Sequence, residues 1–423
     1  MLIAPYFFPR NRGGAVQVYH QLLCNTRAFR FLVVSERRDC SSALLQRFDE
    51  SSDRLFGYGI RRIAAFELHF NPGTSQWRRV MSGAEFFRKS IQEFDRILGD
   101  TCPDLVLCGG TFAAGWLMRR VPSRIPLVTY IHGEELTLGA GPSILQPYFR
   151  YCQRRTLRDA ALNITVSRYS AGLAISTAKI APGAVRLLPN FVDTGHFNPP
   201  ADRDGLRRRL GWSGKTVLLS VARLEPRKGI DQTLRAMASL HHEDRLPRNW
   251  LYVIGGCGEQ KVVLEELASE LGIADRVQFP GFVPDDQLPD YYGAADLFIQ
   301  TNRQIGGDTE GFGIVFLEAS ACGTAVVGGI AGGTGDAIED GVTGLRVDSE
   351  CTEKIASAIR LLLDEPRLRT KMGQRGRARV EAEFTLPRAT ARFESILATA
   401  LSNSRAPIPM GQGLGGVSSR GSS

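Results

Sequence analysis

Short apolar runs alternate with helix-length amphipathic stretches along most of the chain, the pattern of an α/β protein with parallel sheets. In the first half the predicted strands are Leu2–Pro5, Phe31–Ser35, Arg61–Phe66, Asp104–Cys108, Pro126–Ile131, Ala161–Val166 and Arg186–Leu188. Helical spacing fills several of the gaps, for example Ala15–Leu23 and Phe86–Leu98. The stretch LPNFVDTGHFNPPADRDG then interrupts the pattern with the Pro, Asp, Asn and Gly expected of an interdomain linker. A second series follows at Thr216–Ala222, Trp250–Gly255, Val277–Pro280, Leu297–Gln300 and Ala325–Gly328, so two α/β domains of similar size are predicted. From about Thr352 to Leu401 the pattern is helical and charged, with Pro387 predicted to kink or break it. The tail SNSRAPIPMGQGLGGVSSRGSS has few core-forming residues and is predicted to be disordered over 402–423.

Composition changes this picture little. The 423 residues suffice for two or three domains with cores, and 43% hydrophobic and 23% charged content suit a soluble enzyme. No apolar run reaches membrane-spanning length, and the N-terminus lacks the charged and long apolar regions of a signal peptide, so the expected location is cytoplasmic. The eight cysteines form no C-x-x-C pair and no zinc spacing, which fits reduced, mostly buried thiols. Charge is more informative. Residues 1–200 carry 25 Lys+Arg against 15 Asp+Glu, whereas the remainder carries 27 against 29. A basic first half suits an anionic partner, either the inner face of the cell membrane or a phosphorylated acceptor, and is equally compatible with a solvated Arg-rich face. The run from Trp77 to Phe94 interleaves aromatic and basic residues, as a membrane-surface helix does, or as a surface helix that uses its aromatics as core does. No nucleic-acid-binding signature appears.

The candidate chemistry centres on Glu310-Gly-Phe-Gly-Ile-Val-Phe-Leu-Glu318. Gly311 and Gly313 permit close backbone approach, and the apolar stretch after them opens a helix whose free N–H groups and dipole suit a phosphate or hydroxyl-rich group. The two carboxylates are more than two helical turns apart, so Glu310 belongs to the loop and Glu318 to the helix, and they grip different parts of one long ligand such as a sugar nucleotide. Upstream, SVARLEPRKGID places Arg223 and Lys228 at the C-terminal end of a strand, where two cations can neutralise a diphosphate. LYVIGGCGEQ is a strand entering a Gly-rich turn without the full dinucleotide fingerprint, and a plain tight turn is the better reading. In the first domain Gly13 and Gly14 follow the first strand and open a helix, and His132 ends the strand PLVTYI.

The order of these motifs resembles the family 4 retaining glycosyltransferases, from the first strand to about residue 400. The resemblance rests on Gly13-Gly14, His132, LPNFVDTGHF, Arg223 and Lys228, VQFPGFVPDDQLPDYYGAAD, the Glu310–Glu318 element and DEPRLRTKMGQRGRARVEAEFT; Phe191 and Leu386 depart from the usual pattern. It implies the GT-B fold, two Rossmann-like domains (1–195 and 205–383) facing a cleft, with a helix at about 384–401 crossing back to the first. It also implies roles. Arg223 and Lys228 would hold the donor diphosphate and Glu318 the ribose. Glu310 would face hydroxyls of the transferred sugar, helped by backbone N–H groups of Gly311, Phe312 and Gly313. Ile314 and Val315 would line the donor pocket, Val283 would lie against the base, and Gly14 would approach the phosphates from the first domain. His132 would touch the sugar and help orient the acceptor.

The implied reaction moves a sugar, with retention, from a UDP-, GDP- or ADP-sugar to a hydroxyl of a glycan, lipid-linked or small-molecule acceptor. No covalent nucleophile stands out. The cations and helix dipoles are placed to stabilise charge on the leaving diphosphate, so no metal and no cofactor is expected. A sugar-nucleotide epimerase or phosphorylase on the same fold, and a non-catalytic sugar-nucleotide-binding protein, are the alternatives.

Overall fold

The computed structural model describes residues 1–7, 14–37, 42–64, 66, 76–137 and 145–405. Seven strands build the first lobe: β1 (Leu2–Ile3), β2 (Phe31–Glu36), β3 (Tyr58–Ile63), β4 (Val106–Gly109), β5 (Leu127–Ile131), β6 (Leu162–Thr165) and β7 (Val185–Leu187). Six build the second: β8 (Thr216–Val221), β9 (Trp250–Gly255), β10 (Val277–Gly281), β11 (Leu297–Gln300), β12 (Val326–Gly329) and β13 (Gly344–Val347). The sheet orders are β3-β2-β1-β4-β5-β6-β7 and β10-β9-β8-β11-β12-β13, with every pair parallel. Each sheet therefore reverses direction of growth once, between β1 and β4 and between β8 and β11. Those switch points open crevices at the strands' C-terminal ends, where such folds bind ligands.

β1 is two residues long yet central, because Leu2 and Ile3 are fully buried and pair with both neighbours. Tyr58–Ile63 begins three residues before the predicted strand, since Tyr58 is buried and Gly59 pairs with Leu32 instead of opening a turn. The apolar core is continuous from the first lobe through Leu188, Phe191, Val192 and Phe197 of the linker into the second. Phe191, where the family resemblance leads one to expect glycine, is a core side chain.

The chain crosses between lobes twice, and the crossings are hydrogen-bonded to each other: Val192 N donates to Phe384 O at 2.9 Å. The helix Pro366–Glu383 ends there, and the last helix, Leu386–Arg405, starts with Pro387 in its first turn, so the proline marks a break. This last helix packs on the first lobe. Phe393 stacks on Phe31 at 6.1 Å, and Glu394 accepts from the Arg27 and Ala28 N–H groups at 2.8 and 3.0 Å. It extends to Arg405, so residues 402–405 are helical where disorder was expected; 406–423 lie outside the described residues.

The helix Gln76–Thr101 contains the aromatic–basic run. Phe94 is buried, and Phe86 and Phe87 turn toward Trp116, Phe87 at 4.8 Å in edge-to-face contact. These aromatics serve the core, while Arg88 and Lys89 are exposed. No helix among the described residues is long and apolar enough to cross a membrane.

Candidate active site

β8 delivers its chain to the second crevice. Leu224 is buried and fixes the loop, with its N–H on the Cys257 carbonyl at 2.9 Å. The Gly-rich turn after β9 thus braces the basic loop. A short 3-10 turn, Pro226–Lys228, then reaches Gly229, whose φ is +68°. A Cβ there would strike the Thr301 carbonyl just beyond β11, so glycine lets the loop settle over the switch point.

This packing brings Lys228 to Glu310. The Glu310 Oε2 accepts from Lys228 Nζ at 2.7 Å, from the Arg227 guanidinium at 3.0 Å and from Asn302 Nδ2 at 2.7 Å. Burial alone would raise the Glu310 carboxyl, but Lys228 and Arg227 outweigh it and hold the carboxyl at about 2. Arg227 is buried and also pairs with Asp308 at 3.2 Å and Glu225 at 3.3 Å. Arg223 pairs with Glu225 at 2.9 Å, but its side chain is 69% exposed and free to turn. Three cations thus face three carboxylates, all within one ion-pair network.

After Glu310 the chain makes the expected glycine turn and enters the helix Ile314–Ala321, with Gly313 at its N-cap (φ +88°). Phe312 is buried against Phe384, so only its backbone faces the site. Ile314 and Val315 are half-buried against the core. Gly333 N donates to the Glu310 carbonyl at 2.8 Å, backing the turn from the loop after β12. Gly311 meets the other lobe. A Cβ on it would collide with the His132 carbonyl oxygen, and its Cα lies against Gly133.

Glu318 lies on the second turn of the helix Ile314–Ala321. Its Oε2 accepts from the Tyr292 hydroxyl at 2.7 Å. Burial, eased by that hydrogen bond, raises its carboxyl to about 7. Between its ordinary value near 4.5 and about 7 the folded protein keeps this proton while the unfolded chain releases it, so this group's contribution to stability falls as pH rises through that window. Glu318→Gln is therefore expected to raise the melting temperature at pH 8, with a gain that shrinks toward pH 5, and to weaken nucleotide binding. Melting curves and calorimetric titration at both pH values check this; a variant less stable than the parent at pH 8 would contradict the burial argument.

On the first lobe, His132 follows β5. Its ring stacks on Tyr130 at 4.9 Å and meets the edge of Tyr19 at 5.2 Å. Burial lowers its pKa to about 4, so the imidazole is neutral at pH 7, and its Nε2 has no hydrogen-bond partner among the described residues. Gly14 opens the helix Gly14–Asn25 with open space around it; Gly13 lies outside the described residues. Gln17 of that helix reaches Asp285 of the second lobe at 3.3 Å. Beside Asp285, the Val283 side chain is turned in against Gly255 and buried, so it offers a ligand backbone more than side chain, and Phe282 is the exposed ring of the loop.

The structure thus brings Lys228, Glu310, Gly311 and His132 to one seam between the lobes, with Arg223 and Glu318 on the loop and helix that flank it. The sequence reading missed Arg227, Asn302 and Tyr292, whose partners lie 83, 8 and 26 residues away along the chain. It also missed Glu135, whose position two residues past His132-Gly133 was the available signal. Cavities of about 680 Å³, beside Met118 and Tyr151, and 510 Å³, between Arg168 and Arg392, lie outside this seam.

Two family descriptions match in series: "Glycosyltransferase Family 4" over residues 13–196 and "Glycosyl transferases group 1" over 202–379. A GDP-mannose-dependent monoacylated alpha-(1-6)-phosphatidylinositol monomannoside mannosyltransferase of Corynebacterium glutamicum is 30% identical over 392 residues, 91% of this chain and 94% of that protein. The chain belongs to glycosyltransferase family 4. A second relative of this family 4 enzyme, the GDP-mannose-dependent alpha-(1-6)-phosphatidylinositol monomannoside mannosyltransferase of Mycolicibacterium smegmatis, is 39% identical over 62% of the chain and 67% of the relative. Among solved structures, Anabaena Alr3699/HepE with UDP and glucose superposes with a TM-score of 0.71 at 21% identity, covering 94% of this chain and 98% of that one. Sucrose-phosphate synthase from Thermosynechococcus elongatus gives 0.72 at 21% identity, covering 95% and 98%. These neighbours establish the GT-B architecture of two Rossmann-like lobes. The chain is a glycosyltransferase.

Proposed function

We propose that this enzyme transfers mannose from GDP-mannose, with retention at the anomeric carbon, to a hydroxyl of an acceptor that carries an inositol phosphate, as in a phosphatidylinositol-based lipid. Full-length similarity to the Corynebacterium mannosyltransferase carries this reading. Relatives named D-inositol 3-phosphate glycosyltransferase, one of them 41% identical over 44% of the chain, share the inositol phosphate though not the lipid.

The chemistry fits the residues. Cleaving the donor's glycosidic bond builds positive charge on the sugar and negative charge on the leaving diphosphate. Lys228 and Arg223 would bind that diphosphate, and the start of the helix Ile314–Ala321 would add its dipole. Glu318 would hold the ribose. Glu310, kept ionised by Lys228 and Arg227, would accept hydrogen bonds from sugar hydroxyls, while neutral His132 would exchange one from the facing lobe. Among the described residues of the seam no side chain stands out as a covalent nucleophile; retention would come from attack on the face the leaving diphosphate departs, with that phosphate taking the acceptor's proton. The cations would stand in for a divalent metal. The exposed Arg88 and Lys89 of the basic lobe would lie toward an anionic bilayer that presents the acceptor.

The test is GDP release from GDP-mannose in the presence of phosphatidylinositol monomannoside in anionic vesicles, with product anomers assigned by NMR. We expect acceptor-dependent release that persists in EDTA, an α-linked product, and vesicle binding that weakens with salt. Release with UDP-glucose but not GDP-mannose would overturn the donor assignment, and loss of activity in EDTA would overturn metal independence.

A further inference from the structure

The turn that carries His132 is held from below by the Glu135 carboxylate. β5 ends at Ile131, and the chain bends through His132 and Gly133, where φ is +119°. Glu135 folds back under this bend. Its Oε1 accepts the His132 N–H at 2.9 Å and its Oε2 accepts the Gly133 N–H at 2.8 Å, so both carboxylate oxygens are used on two successive backbone donors. Glu135 is itself anchored. Gln153, buried, donates to the Glu135 carbonyl at 2.8 Å and to Thr111 Oγ1 at 3.1 Å, and Arg150 donates to the Leu136 and Thr137 carbonyls at 2.7 and 3.1 Å. The far side of the same bend is the surface that Gly311 touches from the second lobe.

We propose that Glu135 is a positioning residue for the transfer reaction: its carboxylate sets both the aim of the His132 ring and the contour on which the Glu310–Gly313 turn seats when the lobes meet. A short acidic helix start more often only caps itself. Here both oxygens are spent on the site's own backbone, and nothing but glycine fits where the two turns touch. Losing either hydrogen bond leaves a backbone N–H in a crowded site without its partner and lets the bend shift. A displacement near 1 Å at a reacting centre costs roughly 100-fold in rate. The donor's diphosphate and ribose are gripped by the other lobe, so nucleotide affinity should be spared. This inference rests on His132 acting on the transferred sugar.

The experiment compares full-length parent, E135Q, E135D, H132A and the double variant H132A/E135Q in the GDP-mannose assay, with GDP affinity measured by calorimetry and folding by melting temperature. Gln places an amide N–H against one of the two backbone donors; Asp keeps the carboxyl group but falls short of one of them, and should fold even if E135Q does not. We expect kcat to fall roughly 10–100-fold in E135Q and less in E135D, with GDP affinity unchanged. In the H132A background E135Q should cost clearly less than in the parent, because no ring is left to aim and only the seating contour is left to lose. Parent-like kcat in E135Q and E135D would overturn the proposal. So would independent, multiplying effects of H132A and E135Q, or a loss of GDP affinity that accounts for the loss of rate. An inactive parent with GDP-mannose would instead count against the donor assignment, and repeating the cycle with whichever sugar nucleotide is turned over would then decide the role of Glu135.

Discussion

Lys228→Ala is expected to reduce kcat by about 10²–10³-fold, the usual cost of removing one preorganised donor from a site of developing negative charge. The residue is 11% exposed and its ammonium lies 2.7 Å from Glu310. Its removal leaves Glu310 paired with Arg227 and Asn302, so the carboxylate is not stranded and the fold should survive. Affinity for GDP should fall as well, because the same ammonium would contact the diphosphate in the ground state. Steady-state GDP release, calorimetric titration and a melting curve separate these effects. Near-parent turnover in a folded Lys228→Ala protein would remove Lys228 from the chemistry.

Gly311→Val should be nearly as damaging by a different route. Any side chain at 311 meets the His132 carbonyl, and both partners are backbone, which cannot swing aside as a long side chain would. The variant is expected to keep GDP affinity, since Lys228 and Glu318 are untouched, and to lose roughly 100-fold in kcat because the lobes cannot seat and the facing groups stay misaligned. Small-angle scattering with GDP-mannose should show a more open particle than the parent. Parent-like turnover would mean that close contact at this seam is not needed for reaction.

Much of the fold was legible because buried parallel strands advertise themselves as apolar runs. Trp250–Gly255 and Leu297–Gln300 appear where the pattern placed them. β13 was missed because GLRV is short, and its two middle residues are only half-buried. The linker was legible from its prolines and aspartates, but the pairing of Val192 with the far crossing at Thr385 was not, because it joins residues almost two hundred positions apart. Around the candidate site, the order of motifs was enough to place Glu310 on a loop, Glu318 on the helix after it and Lys228 in the turn after β8, as the structure has them. Arg227 was passed over between Arg223 and Lys228; only the fold, by bringing Asp308 and Glu310 over it, makes it the buried one. That the Val283 side chain is buried against Gly255 was likewise not readable from the loop sequence. Glu135 escaped notice for the opposite reason. Its contacts are local, but two adjacent acids at a helix start carry an ordinary explanation in the helix dipole.

The central claim is that a nucleotide's diphosphate is held where the loop after β8 meets the Glu310 turn. A crystal structure of the full chain with GDP tests it most directly. The expected result has β-phosphate oxygens within hydrogen-bonding distance of Lys228 Nζ and the Arg223 guanidinium, with ribose hydroxyls on Glu318. GDP bound in the cavity beside Met118 and Tyr151, or anywhere that leaves Lys228, Arg223 and Glu318 untouched, would contradict it.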